Sequence, residues 1–241
     1  MTGYLVVMTN IASGNAIAEI AALIGDTTRA NILSELMGGQ ALTAGELARA
    51  AGVSAQTTSG HLAKLRDAGL ITLEKQQGRH RYFRITSPEI AHVMEALSLA
   101  VAGGPKRYRP PGPKDAAMRF ARTCYDHMAG QLGTSLTESL CRQGHVILSD
   151  GAGIITEDGR RFFCDFGIDL VPAMASKRPF CRTCLDWSER RPHLAGWLGA
   201  AILSHSLDLG WITRSSDSRA LLITKTGRVG FSAQFEIAST G

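Results

Sequence analysis

A chain of 241 residues with 44% hydrophobic and 20% charged side chains has room for two domains and the composition of a folded globular protein, which excludes disorder throughout. Its formal charge of +5 suits a polyanionic partner without demanding one. No run reaches the ~18 apolar residues that cross a bilayer, segment 4–8 is too short and uncharged at its front for a secretory signal, and five cysteines are too few for a disulfide scaffold, so a cytoplasmic protein with no membrane partner is expected.

In chain order, residues 1–10 read as a loose lead-in. Over 11–24 the apolar Ile17, Ile20, Ala21 and Ile24 recur at helical spacing, and Gly25 closes the segment. Asp26 then caps a helix to about Met37, with Ile32, Leu33 and Leu36 inward and Arg29 outward, broken by Gly38 and Gly39. Thr43 opens a third helix, with Glu46 three residues on as a capping box, and Gly52 turns the chain after Ala51. Ser54 caps a fourth helix that runs to about Ala68 and stops at Gly69. Its Thr58, Leu62 and Leu65 share one face, while Gln56, Thr57, Gly60 and Lys64 turn the other way. Gly60 sits at the exposed centre and costs roughly 1 kcal/mol of helix stability relative to alanine.

Segments 71–74 and 81–85 read as the strands of a hairpin, with a turn glycine at Gly78 and cationic flanks. Between 54 and 86 the basic Lys64, Arg66, Lys75, Arg79, Arg81 and Arg84 outnumber the acidic Asp67 and Glu74. A helix of amide and hydroxyl groups beside a basic hairpin suits duplex DNA: the helix meets base edges in the major groove and the hairpin meets phosphates. Base or nearby phosphate contacts are expected from Gln56, Thr57, Ser59 and His61, positioning from Ser54 and Lys64, and hairpin contacts from Arg79, His80 and Arg81. Ser87 and Pro88 then begin a helix whose Ile90, Val93, Met94, Leu97 and Val101 form an apolar stripe.

Three stretches, ALIGDTTRANILSEL, TAGELARAAGVSAQTTSGHLAKLRDAGLI and GRHRYFRI, carry a resemblance. Residues 16–102 resemble the winged helix-turn-helix of the ArsR family, the arsenical-resistance-repressor type of bacterial regulator. The resemblance implies a homodimer in which the first and last helices of the domain pair across a two-fold axis. Two recognition helices about 34 Å apart would then read a near-palindromic operator, usually to repress. The family's thiol pair before the recognition helix falls on Thr43 and Gly45 here, and its dimer-helix site would need more ligands than Glu89 and His92. Any sensor of a small molecule, metal or oxidant is therefore expected in the C-terminal extension. Family members more often carry a polar or bulky residue where Gly60 stands.

The expected architecture is mainly α with small β hairpins, an α+β chain. A winged helix-turn-helix fills 1–102, a basic Pro/Gly-rich linker 103–114, and an α+β regulatory domain 115–241. In the last of these, helices are expected at 116–129 and 134–142, strands at 145–149, 154–156 and 160–166 around Asp150-Gly151 and Asp158-Gly159, and a helix at 192–207. The closing stretch GWITRSSDSRALLITKTGRVGF reads as two strands about a Ser-Asp-Ser turn, and with the preceding helix resembles a second, degenerate winged-helix unit.

This half contains a weak internal echo. Arg122-Thr123-Cys124-Tyr125-Asp126-His127 returns as Arg182-Thr183-Cys184-Leu185-Asp186 with His193, each copy joining a thiol, a carboxylate and an imidazole. Cys124 and His127, three apart on an expected helix, can face one centre, and Cys181 with Cys184 forms a CxxC pair able to chelate from a loop. Cys124, His127, Cys181, Cys184 and His193 thus form a candidate set for zinc or another thiophilic ion. Arginines 178, 182, 190 and 191 offer a second reading, thiols made oxidation-prone by cationic neighbours, and a third has the cysteines packing as small hydrophobes. For the whole chain, the expected DNA-binding regulator stands against an enzyme using Cys184 as nucleophile with His193 as base, and against a constitutive DNA-binding protein with a structural extension.

Overall fold

The computed structural model describes residues 13–77, 80–103, 113–149, 151–176, 178–216 and 218–237. The lead-in, the linker over 104–112, Gly78, Arg79 and the side chain of His80 lie outside them.

The N-terminal half is built as α1 (Gly14–Ile24), α2 (Thr27–Leu36), β1 (Leu42–Thr43), α3 (Ala44–Ala51), α4 (Ala55–Asp67), β2 (Ile71–Gln77), β3 (His80–Ile85) and α5 (Pro88–Gly103). The caps explain the helix starts. Asp26 accepts from the Arg29 N–H, Thr43 and Glu46 close a reciprocal capping box, and Ser54 accepts from the Thr57 N–H. Arg29, expected outward, instead folds back and donates to the Leu23 and Ala22 carbonyls at 2.6 and 3.0 Å, satisfying the end of α1. The strands run in the order β1-β3-β2, with Leu42 opposite Phe83 and Ile71 opposite Ile85. Their inner face and Leu33, Leu47, Leu62 and Leu65 of the helices make one apolar core.

The C-terminal half repeats one sequence of elements twice. After α6 (Pro113–Phe120) come β4 (Arg122–Cys124), β5 (His127–Ala129), α7 (Gly130–Arg142), β6 (Val146–Ser149), β7 (Ala152–Ile155) and α8 (Glu157–Asp165). A short α9 (Val171–Met174) leads to β8 (Arg182–Leu185), β9 (Pro192–Ala195), α10 (Gly196–Asp208), β10 (Ile212–Arg214), β11 (Leu221–Ile223) and α11 (Lys225–Phe235). Each copy is hairpin, helix, hairpin, helix. Thr156 and Thr224 cap the last helix of their copies by accepting from Gly159 and Gly227. The copies also exchange strands: Ala152 of the first pairs with Arg182 of the second, and Ala220 of the second pairs with Arg122 of the first.

In the C-terminal half the structure departs from four sequence expectations. The helix at 116–129 ends at Phe120, because a two-residue turn with Tyr125 at φ 59° folds residues 122–129 into the β4–β5 hairpin. Segment 160–166 is helical rather than a strand, since Thr156 supplies an N-cap and Phe163 its inward residue. The helix at 192–207 begins only at Gly196, after strand β9. Beyond Thr224 the closing stretch turns into α11 instead of continuing as strand.

The two halves touch directly. The Tyr125 N–H donates to the Met37 carbonyl at 2.8 Å, and the Arg214 guanidinium to the Gly38 carbonyl at 2.8 Å. Cys124 and Cys184 belong to the same apolar core as Leu33, Leu65 and Met94. Among the described residues no helix is long and apolar enough to cross a membrane.

Candidate functional site

Two surfaces carry chemistry. On α4, Thr58, Leu62 and Leu65 are buried, whereas Ser54, Gln56, Thr57, Ser59, Gly60 and Lys64 are exposed. Ser59 donates its hydroxyl back to the Ala55 carbonyl at 3.0 Å, and Ser54 and Thr57 share a hydroxyl contact of 2.9 Å. His61 is half-buried, its Nδ1 3.7 Å from the Asp26 carboxylate, which places it at the seam with α2. Arg81 is exposed on β3 with its guanidinium 6.0 Å from the Phe83 ring centre.

The second surface is interior. Hairpin registers set Cys124 across from His127 and Cys184 across from His193, so each pair reaches the centre from neighbouring strands, not from one helix as expected for Cys124 and His127. The equivalent hairpins of the two copies bring all four residues together, with ligand atoms within 4.8 Å of one another. The Cys124 and Cys184 sulfurs lie 3.9 Å apart, and the two imidazole centres 5.1 Å apart. Two glycines permit this approach. A Cβ at Gly133 would collide with the Met128 carbonyl and touch His193, and one at Gly199 would collide with the Leu194 carbonyl and press on His127.

Each imidazole is backed by a carboxylate. His127 Nδ1 lies 3.3 Å from Asp126, which Arg178 grips with both terminal guanidinium nitrogens. His193 Nδ1 lies 3.4 Å from Asp186, close but not aligned for a hydrogen bond. Asp186 is fully buried and accepts from Arg122 at 2.9 Å, the Gly130 N–H at 2.7 Å and the Ser188 N–H at 2.8 Å. This leaves the Nε2 atoms of both histidines buried and without a partner.

The cluster shares its protons unequally. The bond from the Cys124 thiol draws the Cys184 thiol far below its ordinary range, against burial and with help from His127 and His193. The same bond, with burial, pushes Cys124 up. Burial pulls His127 down, but Asp126 and the Cys184 sulfur outweigh it and raise its proton affinity.

Cys124, His127, Cys184 and His193 therefore form a cluster capable of coordinating a metal ion. A tetrahedral zinc site with Zn–S bonds of about 2.3 Å has a sulfur–sulfur edge of ~3.8 Å, close to the separation found. Cys181 stands apart. It packs against Gly153 in the other apolar core, and burial pushes its thiol up to about 11. The CxxC spacing is broken by strand geometry, because Cys184 faces the cluster from β8 while Cys181 precedes the strand. Two further neighbours lie on α5: Glu95, which sequence reasoning omitted, and His92, which it weighed only as a dimer-helix ligand; they act electrostatically on Cys124 and Cys184 respectively. Their i, i+3 spacing was visible, but nothing in the sequence showed that α5 lies against the hairpins.

A family model described as a helix-turn-helix domain matches residues 24–74. The chain is 40% identical over 221 residues to the uncharacterized HTH-type transcriptional regulator YdfF of Bacillus subtilis (strain 168), covering 92% of this chain and 97% of that one. It is 42% identical over 79 residues to the HTH-type transcriptional regulator YgaV of Escherichia coli (strain K12), covering 31% and 80% of the two chains. Among solved structures, one described as the "predicted DNA-binding transcriptional regulator from E. coli" is 33% identical, with 36% of this chain and 94% of that chain covered and a TM-score of 0.31.

Proposed function

The chain belongs to the helix-turn-helix-type transcriptional regulators, and from that premise we propose that it is a homodimeric repressor of the ArsR type whose operator release is governed by its C-terminal half. The observation that carries the DNA reading is the division of α4, apolar and sealed at Thr58, Leu62 and Leu65, polar and open at Gln56, Thr57, Ser59 and Lys64. A helix so divided lays its open face into the major groove, where Gln56 reads base edges and Lys64 meets phosphate. Arg79, His80 and Arg81 of the hairpin hold the strand alongside. The operator is near-palindromic because a two-fold dimer presents two such helices.

Selection of bound duplexes from random DNA, followed by titration of the selected sequence, tests this. Gln56→Ala should cost about 1–3 kcal/mol and relax preference at one position, whereas Lys64→Ala should weaken all sequences alike and flatten the salt slope by about one unit. Failure of the native protein to enrich any duplex at low salt refutes the reading.

The metal reading is favoured by the two orphaned Nε2 atoms on histidines whose ligand atoms lie within 4.8 Å of the thiol pair. A compact set of two sulfurs and two nitrogens suits one zinc-type ion, with Cys124, Cys184, His127 and His193 as ligands and Asp126 orienting the His127 imidazole. Elemental analysis should find one such ion per chain, lost in Cys124→Ser. Catalysis by Cys184 and His193 is set aside, because both are buried, His193 completely.

A further inference from the structure

Helix α2 ends against the C-terminal half. The Leu33, Glu35 and Leu36 carbonyls accept from the Met37, Gly38 and Gly39 N–H groups, so the helix closes its own last turn that far. The next two carbonyls find their donors in the other half. Met37 accepts from the Tyr125 N–H in the β4–β5 turn, and Gly38 from the Arg214 guanidinium on β10, both at 2.8 Å. Gly39 lies so close to that turn that a Cβ there would strike the Tyr125 carbonyl. The two hairpins that reach α2 are laced together. The Thr123 N–H donates to the Arg219 carbonyl and the Arg219 guanidinium to the Thr123 carbonyl, each at 3.0 Å, and Arg122 bridges to Ala220. What they hold leads to the recognition helix. Ile32, Leu33 and Leu36 of α2 share one apolar core with Leu62 and Leu65 of α4, and the Asp26 cap of α2 lies 3.7 Å from His61.

Resting on the reading that the C-terminal half governs operator binding, we infer that residues 37–39 at the end of α2 are the joint through which it does so, with Arg214 as a positioning residue. Two donors and one close backbone contact fix the end of α2, and α2 fixes α4 through their shared core. A recognition helix held in place before it meets DNA gives up less freedom on binding, so the docked joint favours the bound state. Undocking is the released state. Such coupling is reciprocal: because docking favours DNA, bound DNA favours docking. Gly39 has no side chain and Arg214 donates to the backbone of α2, so both act through α4 and not on the duplex.

The test uses the full-length protein and the duplex that the native chain selects. Arg214→Gln removes the cation, Arg214→Lys keeps a charged donor, and Gly39→Ala sets a methyl group against the Tyr125 carbonyl. Gly144→Ala is the control, with the same φ of 73° but open space where its Cβ would stand. Duplex affinity should fall about tenfold or more in Arg214→Gln and Gly39→Ala, and stay within about threefold of native in Arg214→Lys and Gly144→Ala. The salt slope should stay native in all four, because no phosphate contact is lost. By reciprocity, exchange of the Tyr125 amide hydrogen in the native chain should slow about tenfold when duplex is bound, which a merely structural contact would not do. Arg214→Gln or Gly39→Ala, folded and binding the duplex like the native chain, overturns the joint while leaving the DNA reading intact. An equal loss in Gly144→Ala, a flatter salt slope in Arg214→Gln, or an unmoved Tyr125 amide overturns it too. Arg214 is only partly buried, and its variants carry the test if Gly39→Ala does not fold. A native chain that selects no duplex overturns the DNA reading, and the joint with it.

Discussion

Asp186 shows how much of the interior site depends on single residues. Burial alone would raise its carboxyl, yet the Arg122 guanidinium, the Gly130 N–H and Ser188 hold it well below the usual carboxylate range. A depressed folded-state value means the carboxylate adds stability at every pH above the ~3.9 of the unfolded chain and loses it as pH falls through the folded value. Stability at neutral pH should therefore contain this contribution in full, with its loss confined to pH below about 4. Asp186→Asn leaves Arg122, which is fully buried, without its counter-charge. Removal of one partner of such a pair costs about 3–5 kcal/mol. The expected outcome is a lower urea midpoint at pH 7, with the gap from the native protein closing in acid; equal midpoints at pH 7 would show that Arg122 finds another partner.

At the scale of elements, local signals were legible wherever one helix decides its own boundaries. Ser54, Thr43 and Asp26 cap where side-chain chemistry says they should, and the stripe of Thr58, Leu62 and Leu65 is buried as its period requires. In the C-terminal half the β6–β7 and β10–β11 hairpins were legible about their turns, but β4–β5 and β8–β9 were not, because three-residue strands such as β4 and β5 are too short to display an alternation and every residue in them is buried. The thiol, carboxylate and imidazole echo was the one trace of the duplication. It named four of the cluster residues, but their meeting depends on strand exchange between copies, and a pattern within one copy cannot contain that. Gly60 offers a test at this scale. A Cβ there meets nothing within 4 Å, so Gly60→Ala should stabilise the protein by up to about 1 kcal/mol in thermal or urea unfolding. If the α4 backbone approaches the DNA closely at this point, the same variant loses duplex affinity despite its greater stability. Unchanged affinity would mean that Gly60 only omits a contact.

For the whole molecule, the question is what covers α1 and the outer face of α5. Helix α1 is apolar in sequence yet largely exposed, with Ile17 at 60%, and α5 leaves Leu97 at 45% and Val101 at 82% exposed while Met94 on the same stripe is buried. Apolar faces on the first and last helices of one half fit self-association across a two-fold axis. An isologous contact repeats every residue, so Leu97→Glu inserts two carboxylates into one apolar seam. Sedimentation should then report monomers, and duplex affinity should fall by 100-fold or more, since each recognition helix loses the high effective concentration that its tethered partner supplies. Zinc stoichiometry should not change, because the cluster is built within one chain from both copies of the repeat. A Leu97→Glu protein that remains dimeric and binds DNA normally would place the dimer contact elsewhere, and would separate the part of α5 that faces the cluster at Glu95 from any role in assembly.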